Sequence, residues 1–162
     1  MTIQVGDRIP EVVLKHLREG IEAVDTHTLF TGRKVVLFAV PGAFTPTCSA
    51  KHLPGYVEQF EAFRKRGIEV LCTAVNDPFV MQAWGRSQLV PDGLHLVPDG
   101  NAELARALGL EIDASGSGMG MGLRSRRYAL YADDGVVKAL FVEEPGEFKV
   151  SAADYVLQHL PD

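Results

Sequence analysis

The stretch "KVVLFAVPGAFTPTCSAKHLPGYVEQFEAFRKRG", residues 34–67, holds the turn on which the fold depends. Residues 35–40 are all apolar, the composition of a strand buried on both faces. From about Thr47 to Arg66 the apolar positions Leu53, Tyr56, Val57, Phe60 and Phe63 recur every three or four residues, which marks one face of a helix. Gly67 supplies the stop. A strand therefore ends just where a helix begins, with Pro41, Gly42 and small polar residues between them. Pro54 lies inside the helical pattern, and its missing N–H predicts a kink or widened turn near Ala50 to Lys51. Cys48, one of only two cysteines, sits at this junction.

Working outward, residues 3–34 show short apolar patches split by Gly6, Pro10 and Gly20, which reads as a small hairpin leading into an irregular turn. "IEVLCTAV" (68–75) is a second buried strand, and "DPFVMQAWGRSQ" (77–88) opens with Asp and Pro in the manner of a helix cap and first turn. "LHLVPD" (94–99) reads as a short strand and "NAELARALGL" (101–110) as a helix with a polar cap. "RRYALYADDGVVKALFVEE" (126–144) is a β-hairpin turning at Asp134-Gly135, followed by a last helix over "SAADYVLQHL" (151–160). Alternating strands and helices that end in an antiparallel hairpin predict an α/β fold of thioredoxin-like sandwich type, a mixed central sheet with helices on both faces. No repeat or linker interrupts residues 1–162, so one domain is expected.

The 162 residues carry a formal net charge of −5, which argues against nucleic acid as a partner. The basic group Arg64, Lys65 and Arg66 falls at a helix C-terminus and complements its dipole. No apolar run approaches the ~18 residues of a membrane span, and the N-terminus lacks the pattern of a secretory signal. Two cysteines make no disulfide framework, so a cytoplasmic location is expected, with a processed organelle form left open.

A thiol in the first turn of a helix meets the partial positive charge of unpaired N–H groups. Lowering a thiol pKa from ~8.5 to ~6 raises its thiolate fraction at pH 7 about thirty-fold but costs about ten- to fifteen-fold in nucleophilicity. The net gain is small, so a fast thiol needs neighbours that stabilise charge on the leaving atom. Thr45, three residues before Cys48, could supply a hydroxyl or serve only as a helix cap. Pro41 and Pro46 restrict the loop on either side.

The pattern P-x-x-x-T-x-x-C formed by Pro41, Thr45 and Cys48 closely resembles the active-site loop of the peroxiredoxins. "SAKHLPGYVEQF", "VNDPFVMQAWG", "GLRSRRYAL" and "DDGVVKALFVEEPGEF" are similar to the type II branch of that family, and the resemblance runs from about residue 3 to the C-terminus. It implies a thiol peroxidase for hydrogen peroxide and small organic hydroperoxides, with Cys48 as the peroxidatic cysteine that becomes a sulfenic acid. It implies that Thr45 holds the peroxide, that Pro41 shields the sulfur and that backbone N–H groups around Thr47 and Cys48 touch the peroxide oxygens. Arg127, just before Tyr128, corresponds to the family arginine, and Arg124 is a second candidate that would brace the loop. His52 corresponds to a family histidine. No metal, flavin or haem cofactor is implied, only an external thiol reductant, and the family suggests a homodimer packed near the active-site loops.

Cys72 falls inside an apolar strand, where an inert thiol is the ordinary expectation. Plant-like family members carry a cysteine at the matching place, and animal-type members place a resolving cysteine near the last helix, where this chain has Ser151. The resemblance thus favours a one-cysteine cycle, with glutathione or glutaredoxin taking the sulfenate, over a thioredoxin-dependent cycle through a Cys48–Cys72 disulfide. A peroxide-sensing relay module is a further reading. Metal binding by Cys48 and His52 has only two ligands, and the C-x-x-C of a disulfide exchanger is missing because Thr45 stands in its first place. "SGSGMGMGL" (115–123) matches no nucleotide loop and reads as a flexible wall of the peroxide pocket, with Met119 and Met121 offering apolar contact.

Overall fold

The computed structural model describes residues 1–161. An N-terminal hairpin, β1 (Val13–Leu17) and β2 (Ile21–Asp25), runs into a short helix α1 (Thr26–Phe30) where an irregular turn was expected. Asp25 makes the difference, because its side chain accepts from the Thr28 N–H and caps the helix. Then follow β3 (Lys34–Ala39), a π-helical turn (Cys48–His52), α2 (Leu53–Glu58), α3 (Phe60–Lys65) and β4 (Ile68–Ala74). The chain continues through α4 (Pro78–Ser87), β5 (Leu94–Pro98) and α5 (Glu103–Leu108) to two short strands, β6 (Glu111–Asp113) and β7 (Leu123–Ser125). It closes with the hairpin β8 (Tyr128–Asp133) and β9 (Val136–Val142) and the helix α6 (Ala153–His159).

The main sheet has the order β5-β4-β3-β8-β9. β3, β4 and β5 are mutually parallel, whereas β8 runs antiparallel to both β3 and β9. The side chains of β3 alternate between two cores: Val36 and Phe38 pack with Leu53, Tyr56, Phe63 and Trp84, while Val35 and Leu37 pack with Leu104, Leu108 and Leu110. Each such buried side chain stabilises the fold by roughly 1.5–3 kcal/mol relative to exposure. Both faces are covered, as an uninterrupted apolar strand requires.

Pro54 shapes the start of the long helix as its chemistry demands. In a regular α-helix its ring would meet the carbonyl of Ala50. The chain opens instead into the π-helical turn, and Leu53 N–H bonds back to Cys48 O. A second irregularity at Gln59 divides α2 from α3, yet Gln59 N–H still reaches Gly55 O and Phe63 N–H reaches Gln59 O. At α5 the expected polar cap comes from elsewhere. Ala102 occupies the N-cap position in the left-handed region, and the buried Asp99 carboxylate accepts from Leu104 N–H and Ala105 N–H. The turn at Asp134-Gly135 has positive φ at both residues, as a tight hairpin needs.

Residues 115–123 differ from the expectation. They link β6 and β7, which pair with each other as a separate two-stranded sheet. Met119 is 71% exposed, facing solvent where a pocket wall was expected. Met121 turns toward Gly42, at the start of the cysteine loop.

Candidate active site

The antiparallel register of β3 and β8 decides what faces Cys48. Ala39 pairs with Tyr128, so one step further Arg127 lies across from the end of β3, where the cysteine loop departs. β8 and β9 pair Tyr128 with Val142, and Glu143 N–H continues the ladder to Arg127 O at 3.0 Å. Three strand ends thus bring Val40, Arg127 and Glu143 into one row beside the π-helical turn.

Arg127 Nη2 donates to Cys48 Sγ at 3.2 Å, and its Nη1 donates to His52 Nδ1 at 2.7 Å. A guanidinium only donates, so Nδ1 must be the bare nitrogen of the ring. The His52 proton therefore sits on Nε2 and is directed at Ser151 O, 3.2 Å away. Burial, reinforced by the Arg127 charge, pushes the His52 pKa down to about 3. The histidine is a neutral acceptor that aims the arginine. Tyr56 Oη also donates to Ser151 O at 2.7 Å, and Phe148 lies tilted against the His52 ring with the Arg127 guanidinium 5.8 Å from its ring centre.

Ser151 is itself clamped. Glu143 Oε2 accepts from Ser151 Oγ at 2.6 Å, Ser151 N–H at 2.8 Å and Lys149 N–H at 2.7 Å. Burial acts to raise the Glu143 pKa, but these bonds outweigh it and hold the carboxyl below its usual value. Glu143 and Phe148 were not singled out in the sequence, and Ser151 was named only as the residue standing in place of a resolving cysteine, not as part of the site. No local signal marks them, because their roles arise only when the loop after β9 folds back on the π-helical turn.

The helical backbone begins at Pro46, so the N–H groups of Thr47 and Cys48 fall in a first turn that leaves them without helical acceptors. The Thr45 hydroxyl donates to Gly42 O at 2.6 Å and does not cap the helix, although Thr45 O accepts from Ser49 N–H. Its oxygen remains an acceptor while its own proton is committed. Phe44 holds a positive φ of 65° beside it, a strained conformation for a non-glycine residue. Asn76 Oδ1 accepts from Ala43 N–H, and Trp84 Nε1 donates to Ser49 Oγ, so both ends of the loop are tied down.

Arg124 lies away from the sulfur. Its guanidinium donates to Met121 O at 2.7 Å and Val75 O at 3.2 Å, which braces the Gly42 end of the loop. Cys72 lies on β4 beside Phe38, wholly buried, and burial together with the nearby Cys48 sulfur pushes its thiol well up. Both cysteines are free thiols. Pro41, Thr47 and Arg127 line a cleft of about 410 Å³, while Cys48, bonded to Arg127, is fully buried.

Residues 4–157 match the Redoxin family. The chloroplastic peroxiredoxin-2E-2 of Oryza sativa subsp. japonica is 51% identical over 98% of this chain and 73% of its own. Peroxiredoxin-2B of Arabidopsis thaliana is 46% identical, with 98% of each chain covered. Among solved structures, reduced Prx3 from Vibrio vulnificus in complex with hydrogen peroxide superposes with a TM-score of 0.91 at 45% identity, covering 97% of this chain and 98% of that one. The chain is a type II peroxiredoxin. The peroxiredoxin has the thioredoxin-like fold and is a thiol peroxidase, an enzyme that takes a peroxide and a thiol reductant. No helix among the described residues of this peroxiredoxin is long and apolar enough to cross a membrane.

Proposed function

We propose that the protein reduces hydrogen peroxide and small organic hydroperoxides through Cys48 in a one-cysteine cycle completed by glutathione and glutaredoxin. The observation that carries this reading is the Arg127 fork, one arm on Cys48 Sγ and the other on His52 Nδ1. The sulfur attacks the terminal peroxide oxygen as a thiolate, its proton having gone to solvent: an S–O bond forms, the O–O bond breaks, and the departing hydroxide or alkoxide takes a proton from solvent to leave as water or alcohol. Arg127 and the first-turn N–H groups of Thr47 and Cys48 stabilise negative charge spread over sulfur and both oxygens. Thr45 accepts the hydroxyl hydrogen of the peroxide, consistent with its proton being spent on Gly42 O. His52 does not deliver a proton, since its single N–H points at Ser151 O. Pro41 shields the sulfur and Thr47 borders the approach, while Arg124 holds the loop.

Cys48–SOH then condenses with a thiol to give a mixed disulfide and water, and a second thiol releases Cys48. Cys72 is left out of the cycle, because its thiol is held protonated in the middle of a central strand. Such a cycle suits a reducing compartment such as the cytoplasm, and the enzyme works there as a homodimer. No bound cofactor takes part. The test is peroxide consumption with glutathione plus glutaredoxin against thioredoxin, for wild type, Cys48→Ser and Cys72→Ser. Cys48→Ser should be inactive with every reductant and Cys72→Ser active with glutathione plus glutaredoxin. Loss of all turnover in Cys72→Ser would sink the one-cysteine cycle.

A further inference from the structure

We infer that the cleft beside Cys48 is a glutathione site, in which Lys51 and Arg126 take the two carboxylates of the tripeptide and Glu144 takes its ammonium. The inference rests on the glutathione-dependent cycle proposed above and adds where the thiol is held. The cleft encloses about 410 Å³, within the ~300–1,000 Å³ usual for small-molecule sites. Its lining includes Thr47 and Arg127, the groups that adjoin and touch the sulfur.

The charges around the rim are of unequal availability. Glu143 turns its carboxylate inward to Ser151 and Lys149, and Glu147 pairs with Lys149 at 3.4 Å. Lys51 is exposed and forms no ion pair among the described residues, and the Arg126 guanidinium makes one long bond to Glu143 O. Glu144 is exposed and its carboxylate is free of ion pairs among the same residues. Two available cations and one available carboxylate thus surround the approach to a buried sulfur. Ile112 and Phe148 add an apolar wall for the cysteinyl stem. A thiol carrying two carboxylates and one ammonium matches that set, whereas an alkyl hydroperoxide leaves all three charges unanswered.

Lys51 and Thr47 are four residues apart on the helical segment that carries Cys48, so a ligand gripping Lys51 bears on the same turn. Opening of that turn would bring the sulfenic acid to the bound thiol. Cys48–SOH and glutathione then give Cys48–S–SG and water, and a second glutathione attacks that disulfide to yield the Cys48 thiol and glutathione disulfide.

The test measures kcat/KM for glutathione relative to kcat/KM for 2-mercaptoethanol, which lacks all three charges. Lys51→Glu and Arg126→Glu should each lower this ratio about three- to tenfold, and Glu144→Lys should lower it less. Glutathione diethyl ester on the wild-type enzyme should reproduce the loss without any substitution. An unmoved ratio in both cation variants overturns the site while leaving the glutathione cycle intact. A ratio that stays put while a carboxylate-bearing hydroperoxide loses rate also overturns it, since the cleft is then a peroxide head-group site. A wild-type enzyme that glutathione cannot reduce, with or without glutaredoxin, removes both the cycle and the site.

Discussion

Arg127 and His52 meet at 2.7 Å, nitrogen to nitrogen, with the guanidinium donating and the imidazole accepting. This contact fixes the second arm of the arginine on Cys48 Sγ. A cation placed on a sulfur by a neutral partner keeps its full charge for the reacting atoms. An acidic partner there would divert it.

Arg127→Lys should therefore fail as a conservative change. Lysine offers one compact ammonium in place of a two-armed planar fork and cannot touch Sγ and Nδ1 in the same geometry. The second-order rate constant for hydrogen peroxide should fall about 100- to 1,000-fold, the usual loss when one transition-state donor is removed. Stopped-flow competition with a haem peroxidase measures it, and a fall of less than tenfold would contradict the role given to the fork.

His52 should make the fold sensitive to acid. Its pKa is depressed from 6.5 to about 3 in the folded protein, so between those values the unfolded chain binds more protons. Its contribution is complete above pH 6.5 and is lost as pH falls toward about 3, at up to about 1.4 kcal/mol per pH unit. His52→Gln keeps an acceptor for Arg127 and a donor for Ser151 O but does not titrate. Urea unfolding at pH 4.5 and 7.5 should show a smaller pH dependence in His52→Gln than in wild type.

The sheet was legible because its signals are local. The apolar run at 35–40, the Asp77-Pro78 start of α4 and the Asp134-Gly135 turn each act within a few residues. Cys48 and Thr45 were legible through a spaced motif, and Arg127 only through the family resemblance, as the arginine just before Tyr128. Glu143 and Glu144 show the limit of such reading. They are adjacent and chemically identical, yet one is buried at the centre of a clamp and the other faces water. What separates them is the return of the loop from Glu143 to Ser151, a long-range event that composition and periodicity do not encode. The β6–β7 pair was missed for a similar reason, since three-residue strands carry too few positions to show alternation.

Pro54 was legible in cause and effect, and it supplies a direct experiment. Pro54→Ala restores an N–H and removes the ring that keeps Ala50 O out of a regular helix. The π-helical turn should tighten into an α-helix, which rotates Cys48 relative to Leu53. Thermal stability should hold or rise by up to ~1 kcal/mol, while the peroxide rate constant falls about tenfold because Sγ no longer meets Arg127. Retained peroxide reactivity in a crystal structure with a continuous α-helix would show that the widened turn is not needed.

Glu143→Gln tests whether the loop clamp reaches the sulfur. The carboxamide preserves shape but lacks the charge that strengthens three hydrogen bonds to one oxygen, so stability should drop about 2 kcal/mol. The folded carboxyl titrates below its usual value, so its contribution is present above pH 4.5 and is lost as pH falls through the folded pKa. The variant should lack that acid limb. Loosening Ser151 frees its carbonyl from His52 Nε2–H, and the imidazole then no longer presents a bare Nδ1 to Arg127. Nitrogen NMR of the histidine ring should report a mixed tautomer, with the peroxide rate constant down about tenfold. A pure Nε2–H tautomer alongside an unchanged rate would confine Glu143 to holding the loop.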